Sequence, residues 1–468
     1  MARRLHLQTP LPPAIGRTAV AAALFGFLSC LAAVLAVAPT APAAIALPIA
    51  FVAALWTLPL FSALIRGETW ALQLLLAAVL FVTIGNFRSR AWADKSLDWQ
   101  VLLKGLMWLT AGAVGAVHLP RTRSMLATPR VLAGALFITV LVISTLWSAA
   151  PGYTLMSAGA YACLFLFALT LTHRLDEREL LLAVAVGLGA IVVPSLLLAP
   201  VANSLAGASP GSTGALDNRL AGISDHPIGL AETSALFILA CGALLPKVTR
   251  RRWLLVAMIG AALAAIFLSQ SRMPGIAMLA AIAIVTIYRR GAWSALLPVA
   301  LLVGTAIALV VVSYGFDALI PRDVLRLVSR SGSVQEVATL SGRLRVWDVV
   351  LAQIAVSPWF GHGHATGQVV LLPHFEAWSL VHAHNLFLQS LLYVGIIGTL
   401  PLAIAVLGQI GAFFRAPNLF RDVIIFYTLI IGVTETSLLS NLPGAQSLLW
   451  MVALTMGSNA GDDRGEMG

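Results

Sequence analysis

Charge is what this chain has least of. Asp, Glu, Lys and Arg make up 10% of its 468 residues, while 59% are hydrophobic and the mean hydropathy is +0.93. Soluble domains carry about a quarter charged residues and roughly half apolar ones, so a water-soluble globule is excluded. Cysteine is scarce too. Cys30, Cys163 and Cys241 all fall in apolar stretches, which excludes a disulfide framework or a cysteine metal motif and leaves them as small core residues. Alternating ten-residue strands are missing, which disfavours a membrane barrel. Helical-hairpin repeats are not visible, and neither is the basic, aromatic-bearing face that nucleic acid requires. Behind the N-terminal MARRLHLQTPLPPAIGR there is no convincing small-residue cleavage site, so the first helix is expected to be retained.

What the chain does contain is a series of apolar blocks. About 20 residues at a 1.5 Å rise cross the hydrocarbon of a bilayer. Spans are expected at 18–39, 44–65, 70–88, 100–118, 131–149, 153–172, 178–198, 227–246, 253–269, 272–289, 294–314, 384–412, 421–437 and 442–457. The short ones, at 253–269 and after 421, are open to being half-helices or re-entrant, so about twelve spans (12–14) are expected. Of the net charge of +10, much sits in short loops, where Lys and Arg mark the cytoplasmic side. With Arg3 and Arg4 inside, the loops 120–130, 172–179, 246–252, 288–290 and 414–422 all fall inside, and both termini are cytoplasmic. The basic loop 86–95 is the one conflict, since it falls outside. Loop 199–226, the turn SQSRMPG (269–275) and the large loop 315–383 also fall outside.

These outer segments hold the polar chemistry. Arg219, Asp225 and His226 lie in the first, and Arg272 sits at a helix mouth in the second. In the third, Arg322, Arg326 and Arg330 recur at every fourth residue, one helical face, followed by Arg343 and Arg345. Outward arginines run against the positive-inside tendency, although a loop of about 60 residues or more is exempt. Guanidinium forks match phosphate oxygens. Arg272, in a very short loop, favours the reading as an anion site. Five of the nine histidines fall between His362 and His384.

His384 and Asn385 open a helix behind a polar loop, and a neutral imidazole there could take a proton from a sugar hydroxyl. A satisfied interfacial histidine is the plain alternative. The spacing His362-x-His364 and His382-x-His384, with His374 between and Glu376 the nearby carboxylate, leaves a zinc reading open, although Gly-rich and extended segments suit it poorly. Gly361-His362-Gly363 reads as a turn, structural in purpose. Trp347 could stack on a guanidinium or a sugar; anchoring the loop at the interface is the simpler reading. Glu232 and Glu435 are acidic residues within spans, each a default functional candidate. Both lie near helix ends, where snorkelling or hydrogen bonding explains them more simply.

The run SGRLRVW…SPWFGHG…HAHNLFLQSLLYVGIIG resembles the core pattern of the O-antigen ligases and the related O-antigen polymerases and protein O-oligosaccharyltransferases. Arg343, Pro358, Gly361, Gly363, His384, Asn385, Leu388, Gln389, Gly395 and Gly398 fill the places of that pattern. SQSRMPG resembles its upstream Ser-Arg segment, giving Arg272, and NRLAGISDHP the segment before that, giving Arg219. Val394, after Tyr393, stands where the family often has Tyr or Glu. The resemblance covers roughly 215–400.

The resemblance implies an inner-membrane glycosyltransferase of GT-C-like architecture. Its donor is a polysaccharide on undecaprenyl pyrophosphate, its acceptor is lipid A-core, and its site faces the periplasm. In that role His384 is the general base, and Arg272 and Arg343 hold the departing pyrophosphate. Arg219, Arg326, Arg345, Asn385 and Trp347 are further substrate contacts. Neither cofactor nor metal is implied. A polymerase or oligosaccharyltransferase using the same donor is the near alternative, and a lipid-linked glycan transporter the distant one. The expected fold is an all-α polytopic membrane protein. It comprises a helical bundle over 1–314, a large, partly helical external loop over 315–383, C-terminal spans over 384–458, and a disordered tail over 459–468.

Overall fold

The computed structural model describes residues 58–86, 99–197, 219–224, 226–291, 343–375 and 382–458. These residues are helical, with no strand among them. The helices, labelled in chain order within the described residues, are α1 (Leu58–Arg66), α2 (Thr69–Ile84), α3 (Trp99–Thr122), α4 (Pro129–Ile143), α5 (Pro151–Arg174), α6 (Glu177–Leu197) and α7 (Pro227–Leu244). They continue as α8 (Arg252–Ser269), α9 (Arg272–Arg289), α10 (Arg343–Val356), α11 (Gly367–Leu371), α12 (Leu386–Arg415), α13 (Leu419–Ile431) and α14 (Ala445–Thr455). Eight of them, with their short 3-10 extensions, are long and apolar enough to cross a membrane. They become nine if α1 and α2, bent by 107° at their junction, count as one broken span. The expected spans 18–39 and 294–314, and most of 44–65, lie outside the described residues, so the figure of about twelve stays an expectation.

Helix starts follow local chemistry. Proline occupies the first turn of α4, α5 and α7, where its missing N–H costs nothing. Asn385 and Asn418 cap α12 and α13 with side-chain oxygens that accept backbone N–H groups. Large apolar side chains face outward in number: Leu146 is 84% exposed, Phe267 82% and Leu197 75%. In water this surface would aggregate; against lipid it costs nothing. The two short helices at the C-terminal end behave differently. Every residue of α14 is buried, and α13 packs beside it, so both belong to the middle of the bundle.

Polar contacts sort the helix ends into two sets. At one end, His118 of α3 meets the Leu64 carbonyl at 3.0 Å, Lys247 pairs with Glu177 at 2.9 Å, and Thr172 of α5 reaches Thr455 of α14 at 3.1 Å. Arg130 donates to the Leu454 and Met456 carbonyls at 3.0 and 2.7 Å, closing the C-terminus of α14. Arg421 does the same for α12 through Ala412 and Ala416, at 3.0 and 2.7 Å. Tyr288 of α9 reaches the Phe414 carbonyl at 3.2 Å. All five loops read as cytoplasmic meet at this basic end. At the other end, Asn86 N–H donates to the Ile223 carbonyl at 2.8 Å and Leu220 N–H to Leu268 at 3.0 Å. Leu386 N–H donates to Gly432 at 2.7 Å, and Ser437 of the segment after α13 reaches Glu232 of α7 at 2.6 Å. The helices between alternate in direction. The N-termini of α9 and α12 therefore share an end, opposite the Tyr288–Phe414 contact.

Candidate active site

The turn after α10 is zipped onto a break in α12. His362 N–H and Gly363 N–H donate to the Leu392 and Tyr393 carbonyls at 2.9 and 2.8 Å. Ile396 and Ile397 N–H donate back to Pro358 and Trp359 at 2.9 and 3.2 Å. Donors at 396 and 397 are free for this because α12 is interrupted at Gly395, where φ is +61° and ψ −164°. Gly361 and Gly363 are also at positive φ, and a Cβ on Gly361 or Gly395 would sit 2.5 and 2.3 Å from opposing backbone atoms. The Gly-His-Gly and Gly-x-x-Gly elements are thus two halves of one backbone clasp. This is the structural role expected of Gly361-His362-Gly363, extended to Gly395.

The histidines around the clasp diverge. His362 donates to the Gln353 carbonyl at 2.9 Å, and His374 accepts from the Gln353 amide at 3.1 Å. His364 is fully buried and hydrogen-bonded to Ser157 at 2.9 Å, edge-on to Tyr161 and Tyr393. Ser157 passes its own hydrogen on to the Asn441 carbonyl. Burial pushes the His364 imidazole down to about 3, so it stays neutral and ties the loop to α5. Among the described residues no three His, Cys, Asp or Glu side chains gather as a metal site would require. Of the paired histidines, His362 and His364 are turned to different partners, Gln353 and Ser157.

His384 stands just before α12 with φ +46°, a left-handed conformation that is uncommon for a side-chain-bearing residue. It is held there from both sides. Trp347 of α10 donates from its indole to the Ala383 carbonyl at 2.8 Å, and the Ala383 N–H donates to Gln389 Oε1 at 2.7 Å. Next in the chain, Asn385 accepts from Phe387 and Leu388 N–H at 3.0 Å each and donates to Val433 at 3.2 Å. Both ends of the Asn385 amide are thus engaged by the fold. The indole N–H of Trp347 serves the loop as well, in line with the anchoring role. The His384 side chain is 23% exposed, with Nδ1 3.5 Å from the Glu435 carboxylate. That is ion-pair distance, longer than a formed hydrogen bond, and Nδ1 makes none. His382 sits edge-on at 6.4 Å between ring centroids. Burial, then the neighbouring His384, pushes it down to about 4, against the opposing pull of Glu435.

Glu435 and Glu232 were the residues the sequence undervalued. Glu232 receives the Ser437 hydroxyl at 2.6 Å, and its carboxyl feels the charge of Glu435. The hydrogen-bonded part of the interfacial reading holds for Glu232. Snorkelling does not, because the pair turns inward behind His384. The only signal in the sequence was a carboxylate placed in each of two apolar runs, AETSALF and TETSLL.

Of the arginines, Arg272 is exposed as the first residue of α9, at the same end of the bundle as His384. A helix N-terminus adds unpaired N–H groups and a positive dipole end. Arg219 fastens the turn before it, donating to the Ser269 carbonyl at 3.0 Å and to Ser271 Oγ at 2.7 Å. Arg343 opens α10, but the Arg343 and Arg345 side chains lie outside the described residues, as do Arg322, Arg326, Arg330, Asp225 and Glu376 entirely.

Residues 255–403 match the family model described as O-Antigen ligase. No curated protein matches the chain. The matched stretch runs from α8 through the clasp into α12 and contains Arg272, Arg343 and His384; Arg219, Glu232 and Glu435 lie beyond it. Over that stretch, from α8 through the clasped histidine loop into α12, the chain matches the O-antigen ligase family.

Proposed function

We propose that this protein transfers a polysaccharide from undecaprenyl pyrophosphate to a sugar hydroxyl of lipid A-core, at the outer leaflet of the bacterial inner membrane. The observation that carries the reading is His384, fixed in a strained backbone conformation by Trp347 and Gln389 at the bundle end where α9 opens with Arg272. Strain of this kind costs energy and is retained where geometry serves a reaction. The basic loops at the opposite end support a cytoplasmic assignment there and a periplasmic one for His384. A GT-C-like architecture accords with a lipid-borne donor entering between apolar helix faces.

In this mechanism His384 removes the proton from the acceptor hydroxyl as the oxygen attacks the anomeric carbon. The bond from that carbon to the carrier pyrophosphate breaks, and attack from the opposite face inverts the centre. Arg272 and Arg343 neutralise the charge that develops on the leaving pyrophosphate. A pyrophosphate is already a good leaving group, so neither nucleotide nor metal is called for. Arg219, Trp347 and Asn385 serve by holding the turns that present these groups, and Arg326 and Arg345 are further phosphate or glycan contacts.

The test is transfer by purified protein given carrier-linked glycan with and without lipid A-core. Glycan should move to lipid A-core, and His384→Ala should lower transfer by about 100-fold or more, the range for loss of a general base. Chain growth on the carrier without lipid A-core would instead make the protein a polymerase. Wild-type transfer by His384→Ala would remove the base.

A further inference from the structure

The basic end of the bundle carries a cluster that the transfer chemistry does not use. Arg121 comes from the last turn of α3, and His173 and Arg174 from the last turn of α5. The turn between α1 and α2 closes over them: a Cβ on Gly67 would sit 2.9 Å from both Arg174 Nε and His118 Cε1. His118 is the buried floor. Its Nε2 lies 3.0 Å from the Leu64 carbonyl and so carries the hydrogen, which leaves Nδ1 to accept from Arg121 at 3.4 Å. In that arrangement His118 is neutral and adds nothing to the charge. Arg174 and Arg121 both lie close enough to act electrostatically on His118 and His173.

The cluster holds positive charge without a matching anion. Arg174 Nε is buried and has no hydrogen-bond partner among the described residues, a costly state for a charged donor. The carboxylates nearest in the chain are committed elsewhere. Glu68 binds Arg66 at 2.7 Å and the Trp70 indole at 2.6 Å. Asp176 and Glu179 cap each other's backbone N–H, and Glu177 pairs with Lys247 at 2.9 Å. Topology alone asks for basic residues in these loops. It does not ask that guanidinium groups from two helices converge, which costs repulsion.

We propose that Arg121, Arg174 and His173 bind the phosphate of an anionic phospholipid in the leaflet at this end. Guanidinium forks match phosphate oxygens, and basic pockets between membrane helices take lipid headgroups. The face of α3 that leads to Arg121 supplies the second half of the site. Leu102, Leu106, Leu109, Ala113 and Val117 recur at every third or fourth residue, all exposed, and the next position in that row is Arg121. One acyl chain can lie along this row while its phosphate meets the guanidinium groups. A free phosphate would use the same cations but not the row, so the row assigns the lipid. The site stands whether or not His384 is a base.

The test titrates full-length protein, stripped of lipid in detergent, with phosphatidylglycerol, phosphatidylcholine or inorganic phosphate, and counts bound lipid by native mass spectrometry. Phosphatidylglycerol should bind more than about tenfold tighter than phosphatidylcholine. Arg121→Gln and Arg174→Gln should each weaken phosphatidylglycerol binding about fivefold, the effect of one basic residue near an anionic headgroup. Arg123→Gln removes the same charge from the neighbouring exposed 3-10 turn and should leave binding within about twofold. Phosphatidylglycerol should raise the melting temperature of wild type but not that of Arg174→Gln; a merely structural arginine would lower it equally with and without lipid. Equal binding of the two lipids by wild type overturns the site, as does a loss in Arg123→Gln matching that in Arg121→Gln. Displacement of the lipid by inorganic phosphate at equal concentration makes the cluster a free-anion site and overturns the lipid. Should Arg174→Gln fail to fold, the exposed Arg121→Gln decides: an unchanged lipid preference in that variant overturns the proposal.

Discussion

Trp347→Phe isolates the hydrogen bond that keeps His384 in place. The substitution preserves an aromatic ring, and so any stacking on a sugar, but removes the indole donor 2.8 Å from the Ala383 carbonyl. Ala383 is fully buried, so the carbonyl is left without a replacement from solvent. The left-handed conformation of His384, at φ +46°, costs about 1–2 kcal/mol. It is held by this bond and by the one to Gln389. A typical net hydrogen bond is worth about 1 kcal/mol, and a stranded buried acceptor adds roughly 1 more. Losing about 2 kcal/mol from the strained form shifts its population by roughly 30-fold, since about 1.4 kcal/mol is a factor of ten. Single-turnover transfer should therefore fall about 10- to 30-fold, with donor KM little changed, because no binding group is removed. Gln389→Leu should give a similar loss. The double variant should fall short of the sum, since both bonds restrain the same residue, Ala383. Turnover by Trp347→Phe within about twofold of wild type would refute the idea that this bond sets the His384 geometry.

Gly395→Ala should unfold the clasp. A Cβ there meets the Trp359 carbonyl carbon at 2.3 Å on a backbone at φ +61°, and the cost should exceed about 3 kcal/mol. A wild-type melting temperature in detergent would count against the clasp. Arg130→Ala should do the converse, lowering thermal stability without touching the chemistry. It removes charged donors from the Leu454 and Met456 carbonyls, each worth about 1.5–3 kcal/mol. Transfer per folded molecule should be unchanged, and an activity loss greater than the loss of folded protein would mean that the basic end communicates with His384.

Much of the fold was legible because lipid imposes a length. A helix must satisfy its own backbone and cross a fixed thickness. Apolar runs bounded by Arg and Lys therefore read directly as α2 to α9 and α12 within a few residues. The even–odd placement of the basic loops was legible for the same reason, and their contacts gather them at one end. The role of Gly361 and Gly363 as a turn could also be read locally, since only glycine tolerates that backbone. The partner of the turn could not. The Gly395 break lies 34 residues away from Gly361 in sequence, and nothing local says that its freed N–H groups meet Pro358 and Trp359.

The site divides in the same way. Residue type and loop position were enough to single out His384 and Arg272, because an ionisable group at the edge of an apolar chain needs a reason. Only tertiary structure turned Trp347 and Asn385 into the frame around His384, since the Trp347–Ala383 and Asn385–Val433 bonds depend on where α10 and α13 pack. Glu435 and Glu232 look alike in sequence, single carboxylates near the ends of apolar helices. They became neighbours only when α7 and the segment after α13 were brought together. Hydropathy fixes which residues enter the membrane, and packing alone decides which buried charges share an electrostatic field.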